Sequence, residues 1–142
     1  MDYLSQLDKM LNTGHRLIAM ESYEVERICD LLLELSRFNA SPFYLASPGQ
    51  GMYRFGASHI SIPRTVKPED LIEHIKASTH YGVFILRDYN EILKNEKLVD
   101  QLLEIATGES NKVVLFIADH LELPEKLRPK TLRSKHQMKK TG

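Results

Sequence analysis

Acidic residues follow two apolar runs of this sequence, at positions where carboxylates can do chemistry. Val83–Leu86 is followed closely by Asp88, and Val113–Ala118 by Asp119 and His120. An Asp behind a buried strand can hold the magnesium of a bound nucleotide, and an Asp–His step can ligate a metal or act as a general base. The competing interpretation is structural, since caps and surface imidazoles are common at strand ends.

Two further places could contribute to a nucleotide site. Glu21 and Ser22 follow another apolar run, and a glycine-containing loop follows a second one, with candidate residues Ser47, Gly49, Gly51 and Arg54. Backbone amides in such a loop can surround a phosphate. However, the pattern G-x-x-x-x-G-K-[ST] is missing, and with it the lysine and hydroxyl that hold phosphate and magnesium. The sequence therefore favours a hairpin loop here.

Other catalytic and metal patterns are missing as well. Tyr89 stands where a nucleotide hydrolase usually carries a glutamate that activates water, and no G-x-S-x-G elbow is present. Cys29 lies on a predicted apolar helix face, which favours a structural role. The other histidines show no paired ligand spacing. We expect a protein that is not an enzyme and holds no metal and no cofactor, with ATP and magnesium as the open alternative.

Length and charge limit the organisation of the chain. It has 142 residues, 42% of them apolar, which indicates a single soluble domain. Seven basic residues and no acid lie between Lys126 and Gly142, which leaves a net charge of −7 on residues 1–125. We predict a domain over 1–129 and a disordered basic tail over 130–142, since the tail has few large apolar residues. No apolar run approaches the ~20 residues of a membrane helix, and we expect a cytoplasmic protein.

The basic tail has three open interpretations. Its candidate binding residues are Lys130, Arg133, Lys135, Lys139 and Lys140. They could bind nucleic acid through counterion release, dock on an acidic protein, or only keep the chain soluble. Aromatic residues that stack on single-stranded bases are missing between them.

Hydrophobic periodicity predicts an α/β domain. Helices are predicted over 1–14, from Ser22 to about 38, from Pro68 to about 78 and from Asn95 to 107, with Ser22 and Asn95 as N-caps. Buried strands are predicted at 16–20, 43–46, 81–86 and 112–118, and a small hairpin joins Met52–Phe55 to His59–Ile62. Regular alternation of strands and helices predicts three α/β/α layers around a mainly parallel four-stranded sheet.

Five phrases in order also resemble a known family. They occupy residues 7–12, 16–27, 82–90, 112–118 and 122–127. They resemble the amino-terminal domain of the Ycf-type AAA ATPases, the family that includes a chloroplast-encoded hypothetical reading frame. The resemblance implies a degenerate P-loop fold, in which the first strand enters its helix without a phosphate loop. It also implies the strand order 2-3-4-1, with Val83–Asp88 at the Walker B position and Val113–Ala118 at the sensor strand.

An active AAA domain usually follows in that family, and this sequence ends where it would begin, so we expect no ATPase activity. The first hypothesis is a non-catalytic interaction or regulatory module that docks on a protein partner, one candidate being a separately encoded AAA ATPase. The alternatives are a small nucleotide-binding protein that uses the strand ends and a nucleic-acid binder that uses the tail. The missing phosphate loop favours the first hypothesis over the second.

Overall fold

In the residues that the structure describes, 3–57, 60–108 and 112–136 of a computed structural model, strands and helices alternate along the chain. The strands are β1 (Leu17–Ser22), β2 (Phe43–Ser47), β3 (Gly51–Arg54), β4 (Val83–Arg87), β5 (Val113–Ala118) and β6 (Thr131–His136). The helices are α1 (Tyr3–Leu11), α2 (Val25–Ser36), α3 (Pro68–Ala77), α4 (Asn90–Leu93), α5 (Glu96–Thr107) and a 3₁₀ helix (Glu125–Lys130). None of the helices in these ranges is long and apolar enough to cross a membrane.

One sheet contains these strands in the order β3-β2-β4-β5-β1-β6. Neighbouring strands are parallel except for β2 and β3, which are antiparallel. The prediction of an α/β domain with a mainly parallel sheet is confirmed. The predicted sheet of four strands in the order 2-3-4-1 does not describe the observed sheet of six strands, because β3 and β6 pair with the outer edges of β2 and β1.

Two apolar clusters pack against the sheet. Phe84 belongs to the cluster that includes α3 and α5, and Ile85 to the cluster that includes α1 and α2. Both side chains are buried, at 1% and 0% exposure. Because successive residues of a strand point to opposite faces, the unbroken apolar run of β4 reflects a sheet that is covered on both faces.

Short-range signals account for the helix boundaries. Pro68 stands in the first turn of α3, and Glu69 and Asp70 follow it near the positive end of the helix dipole. Asn95 caps α5, since its side chain accepts a hydrogen bond from the Leu98 N–H at 3.2 Å. Periodicity did not predict α4 because a single turn is too short to show it.

The predicted hairpin between Met52–Phe55 and His59–Ile62 is found, within the described residues, only as one antiparallel bridge and not as two paired strands. β3 pairs with β2 instead, and Ile62 contributes one isolated bridge, to Met52. Residues 58 and 59 lie outside the described ranges. Met52 uses one edge of β3 to pair with Ala46 in β2 and the other edge for the bridge to Ile62.

Strand β6 corrects the prediction of a disordered basic tail. Thr131–His136 pairs in parallel with β1 along its whole length. The Thr131 side chain is buried, and its hydroxyl donates to the carbonyl oxygen of Leu127 at 2.6 Å. The basic, weakly apolar composition of this segment predicted disorder. Composition carries no information about the backbone hydrogen bonds that a neighbouring strand supplies. Residues 137–142 of the predicted tail lie outside the described ranges.

Candidate functional site

The carboxyl ends of β1, β4 and β5 meet at one end of the sheet, where open α/β sheets bind their ligands. Five predicted site residues lie at or just after these strand ends: Glu21, Ser22, Asp88, Asp119 and His120. They do not form a single cluster. Two of them line a cavity, two pair with each other, and Ser22 is buried in a turn.

The turn from β1 to α2 is too short for a phosphate-binding loop. β1 ends at Ser22 and α2 begins at Val25, so only Tyr23 and Glu24 connect them. The Ser22 hydroxyl accepts a hydrogen bond from the Glu24 N–H at 2.9 Å, which makes a tight serine turn. The predicted N-cap at Ser22 is therefore wrong, since Glu24 holds that position.

A carboxylate lies at the amino-terminal end of α2. Glu24 Oε1 is 3.5 Å from Arg27 Nη1, while Glu24 Oε2 is buried and accepts no hydrogen bond within the described part of the chain. Helix amino-termini attract anions because their unpaired N–H groups and the helix dipole are positive there. Glu24 already places a negative charge at this end, so a phosphate group would meet repulsion.

Arg87 lies between two carboxylates next to this turn. Its Nη2 donates to Glu26 Oε2 at 3.1 Å, and its Nε is 3.6 Å from Asp88 Oδ2. Burial opposes the charge of Arg87, but the hydrogen bond to Glu26 and the nearby negative groups outweigh it and raise the pKa of Arg87. The guanidinium is therefore charged and already engaged.

Asp88 follows β4 in a left-handed backbone conformation, with a φ of 64°. Its N–H donates to the carbonyl oxygen of Ile117 at 3.0 Å, which extends the pairing of β4 with β5. Asp tolerates this conformation better than most residues with a side chain. The turn thus explains an Asp at this position without any ligand.

A cavity of about 290 Å³ lies between the start of α2 and the ends of β4 and β5. Its lining consists of Tyr23, Glu24, Val25, Glu26, Arg87, Asp88 and Asp119. Four of these residues are carboxylates and one is a cation, so the cavity is acidic. Over the ranges that the structure describes, no group of three or more His, Cys, Asp or Glu side chains could hold a metal ion.

Glu21 and His120 form a separate pair. His120 Nδ1 is 3.3 Å from Glu21 Oε2, and His120 Nε2 is 3.7 Å from Glu122 Oε2. Glu21 Oε2 also accepts a hydrogen bond from the Leu121 N–H at 2.9 Å. The two candidate residues Asp119 and His120 therefore do not act at one site. Asp119 lines the acidic cavity, while His120 contacts Glu21, whose carboxylate accepts a hydrogen bond from the chain just after β5.

The candidate loop from Ser47 to Gly51 is the turn of the β2–β3 hairpin. Gly49 and Gly51 have φ values of 81° and 76°, which only glycine adopts readily. A Cβ at Gly51 would also lie 3.0 Å from Thr65 Oγ1. Arg54 lies at the other end of β3, away from the turn. Turn geometry and a close approach therefore explain both glycines.

The candidate cations of the tail lie in three settings. Lys130 ends the 3₁₀ helix, Arg133 and Lys135 belong to β6, and Lys139 and Lys140 lie outside the described residues. Lys130 and Arg133 are exposed. Binding of nucleic acid or an acidic partner through these residues stays a prediction.

A larger cavity of about 510 Å³ lies beside β6, and we call it the β6 groove. It is lined by Ala19, Glu21, Leu121, Glu122, Leu123, Arg128, Arg133 and Ser134. The sequence did not predict this groove, because Arg133 was assigned to a disordered tail. The available signal was the β-branched Thr131 followed by the alternating Leu132, Arg133 and Ser134, which is weak evidence for a strand.

The fold and these strand ends define an AAA-like α/β domain whose first strand enters its helix without a phosphate-binding loop. A family model for the SpoVK-like AAA ATPase N-terminal domain matches residues 3–135, and the chain belongs to this family. The prediction of an AAA ATPase N-terminal domain is confirmed, while the narrower resemblance to Ycf-type ATPases stays a prediction. A comparison with curated proteins found no match.

Proposed function

We propose that this domain is a non-catalytic interaction module of AAA ATPases that docks on a protein partner. The chain matches the N-terminal domain of SpoVK-like AAA ATPases and not their catalytic domain, and this supports an accessory or regulatory role. The observation that carries the proposal is the β1–α2 turn, in which Tyr23 and Glu24 stand in place of a phosphate loop. The Ycf-type resemblance makes a separately encoded AAA ATPase one candidate partner.

The charge of the acidic cavity argues against the nucleotide-binding alternative. Sites that bind nucleotide phosphates surround them with N–H groups, a lysine and magnesium. Here the carboxylates of Glu24, Glu26, Asp88 and Asp119 line the cavity, and Arg87, the cation among the described lining residues, is paired with Glu26 and Asp88. We therefore expect neither ATP binding nor ATP hydrolysis.

Thermal unfolding in millimolar ATP and magnesium tests this part of the proposal. A ligand at 100 times its dissociation constant stabilises a protein by about 2.7 kcal/mol, which raises the melting temperature by several degrees. We expect no such rise. A rise of that size that is lost in Asp88→Ala would contradict the proposal and support the nucleotide-binding alternative.

Affinity capture from the source organism, read by mass spectrometry, tests the docking. The bait is the tagged 142-residue chain, and an unrelated domain with the same tag is the control. We expect an AAA ATPase or a protein of its complex to be enriched, and direct binding of the purified protein should follow. Enrichment that disappears after nuclease treatment would favour the nucleic-acid binder instead.

A further inference from the structure

Strand β6 leaves one edge of the sheet open. It pairs with β1, and among the described residues no strand pairs with its other edge. The N–H and C=O groups along such an edge can pair with another extended chain. Charged side chains on an edge strand discourage indiscriminate pairing, and Arg133 is exposed at the middle of β6.

The opposite edge of the sheet is covered by the chain itself. The N–H of Met52 in β3 donates to Thr65 Oγ1 at 2.8 Å, and the Ile62 N–H donates to the Met52 carbonyl oxygen at 2.8 Å. Thr65 Oγ1 also donates to the Ile62 carbonyl oxygen at 2.7 Å, which holds the covering segment in place. The two edges therefore differ, and within the described part of the chain β6 is the edge whose backbone groups are left for pairing.

The β6 groove next to this edge has unpaired positive charge. Arg128 Nε makes a long hydrogen bond, 3.4 Å, to the Leu123 carbonyl oxygen, and neither Arg128 nor Arg133 forms an ion pair with any described residue. Of the two acids of the groove, Glu21 Oε2 accepts a hydrogen bond from the Leu121 N–H, and Glu122 Oε2 lies 3.7 Å from His120 Nε2 and pairs with neither arginine among the described residues. An anion that enters the groove would therefore meet two guanidinium groups that form no ion pair with the described residues.

We propose that the open edge of β6 binds an extended acidic segment of a protein partner as an added strand. This inference rests on the proposed docking function and names its surface. Arg133 lies opposite Ala19 in the β1–β6 ladder, and both residues line the groove. Every second side chain of an added strand would project on this same face, so carboxylates at alternate positions would reach Arg133 and Arg128.

The composition of the groove favours a peptide over a nucleic acid. Leu121 and Leu123 make part of the lining apolar, whereas a continuous chain of phosphates needs charged or polar partners along its length. A peptide that alternates acidic with apolar side chains can satisfy the arginines, while its backbone pairs with β6.

Fluorescence anisotropy with a short labelled peptide that alternates glutamate and valine tests the proposal on the 142-residue chain. We expect binding that weakens with salt and becomes roughly tenfold weaker in the double variant R128Q/R133Q, since the cross-strand charge pair of Arg133 and the charge pair of Arg128 are both lost. Arg37→Gln is the matched control, because Arg37 is an exposed arginine at the end of α2. Its affinity should equal that of the wild type, and both variants should keep the wild-type melting temperature.

Two altered peptides separate strand pairing from simple charge attraction. A peptide N-methylated at every amide has no N–H group to donate to the β6 ladder, and one with lysine in place of glutamate has the wrong charge. We expect neither to bind, and equal binding of the N-methylated peptide would overturn the proposal. Tighter binding of oligothymidylate that requires Arg133, or a dimer that R128Q/R133Q dissolves, would also overturn it.

Binding of the partner captured in the docking experiment distinguishes a failure of the proposed surface from a failure of the proposed function. If that partner binds wild type and R128Q/R133Q equally, the docking function stands and the β6 edge is the wrong surface. If the acidic peptide binds with the expected dependence on both arginines but no AAA-related partner is captured, the surface stands and the proposed function fails.

Discussion

The ammonium group of Lys112 lies 2.8 Å from the carbonyl oxygen of Ile75, in the last turn of α3. It donates a second hydrogen bond to the Lys76 carbonyl oxygen, also at 2.8 Å. The last carbonyls of a helix have no partner within the helix, and a cation there also complements the helix dipole. Lys112 thus joins the start of β5 to the end of α3.

Lys112→Met should destabilise the fold, because it keeps the apolar stem and removes both hydrogen bonds. We expect a loss of about 1–3 kcal/mol, the cost of leaving buried acceptors unpaired. Urea unfolding measures the change. Lys94→Met, at an exposed lysine after α4, is the control and should stay within about 0.5 kcal/mol; equal losses in both variants would contradict the capping role.

Phe84→Ala and Ile85→Ala should both destabilise the protein strongly. The two side chains are buried in different apolar clusters, so each truncation leaves an unfilled cavity on its own face of the sheet. We expect a loss of about 2–5 kcal/mol for each. A nearly unchanged urea midpoint for either variant would show that one face of β4 is not covered.

Gly51→Ala should cost more stability than Gly49→Ala. Both residues have positive φ, but a Cβ at Gly51 would lie 3.0 Å from Thr65 Oγ1, whereas a Cβ at Gly49 would meet nothing within 4 Å. The φ strain alone costs about 1–2 kcal/mol, so the difference between the variants reports the close approach. Equal urea midpoints would mean that Thr65 moves aside freely.

Truncation after Lys130 should destabilise the domain, because it removes β6 and the buried Thr131. We expect a loss larger than about 2 kcal/mol, well beyond the ~0.5 kcal/mol typical of surface changes. The reference is a chain that ends at His136. If both truncations melt at the same temperature, the β1–β6 pairing contributes nothing to stability.

Cys29 should make stability fall at alkaline pH. Burial raises the pKa of its thiol from 9.0 to about 11, so the unfolded chain ionises first. The stabilisation is complete below pH 9 and is lost as the pH rises to about 11, by about 2–3 kcal/mol. Urea unfolding across this window should show a steeper decline in the wild type than in Cys29→Ala, and parallel declines would contradict the assignment.

Neighbouring residues were enough to predict most helices and the inner strands. Asn95 and the apolar stripe after it predicted α5, and Pro68 followed by two acids predicted the start of α3. The apolar run Val113–Ala118 predicted β5. These signals are readable because capping and periodicity depend on residues only a few positions apart. The short β1–α2 turn, which lacks a phosphate loop, could also be predicted, because it too depends on residues only a few positions apart.

The edges of the sheet and the grouping of the site were decided by the tertiary structure. The sequence of β6 has the composition of a basic tail, and it forms a strand because it pairs with the free edge of β1. Glu21 contacts His120 only because β1 lies beside β5 in the sheet. The unpaired charge of Arg128 and Arg133 likewise depends on which acids already have partners elsewhere in the chain. Such contacts join residues far apart in sequence, and their free energy depends on which edges and charges the rest of the fold leaves unpaired.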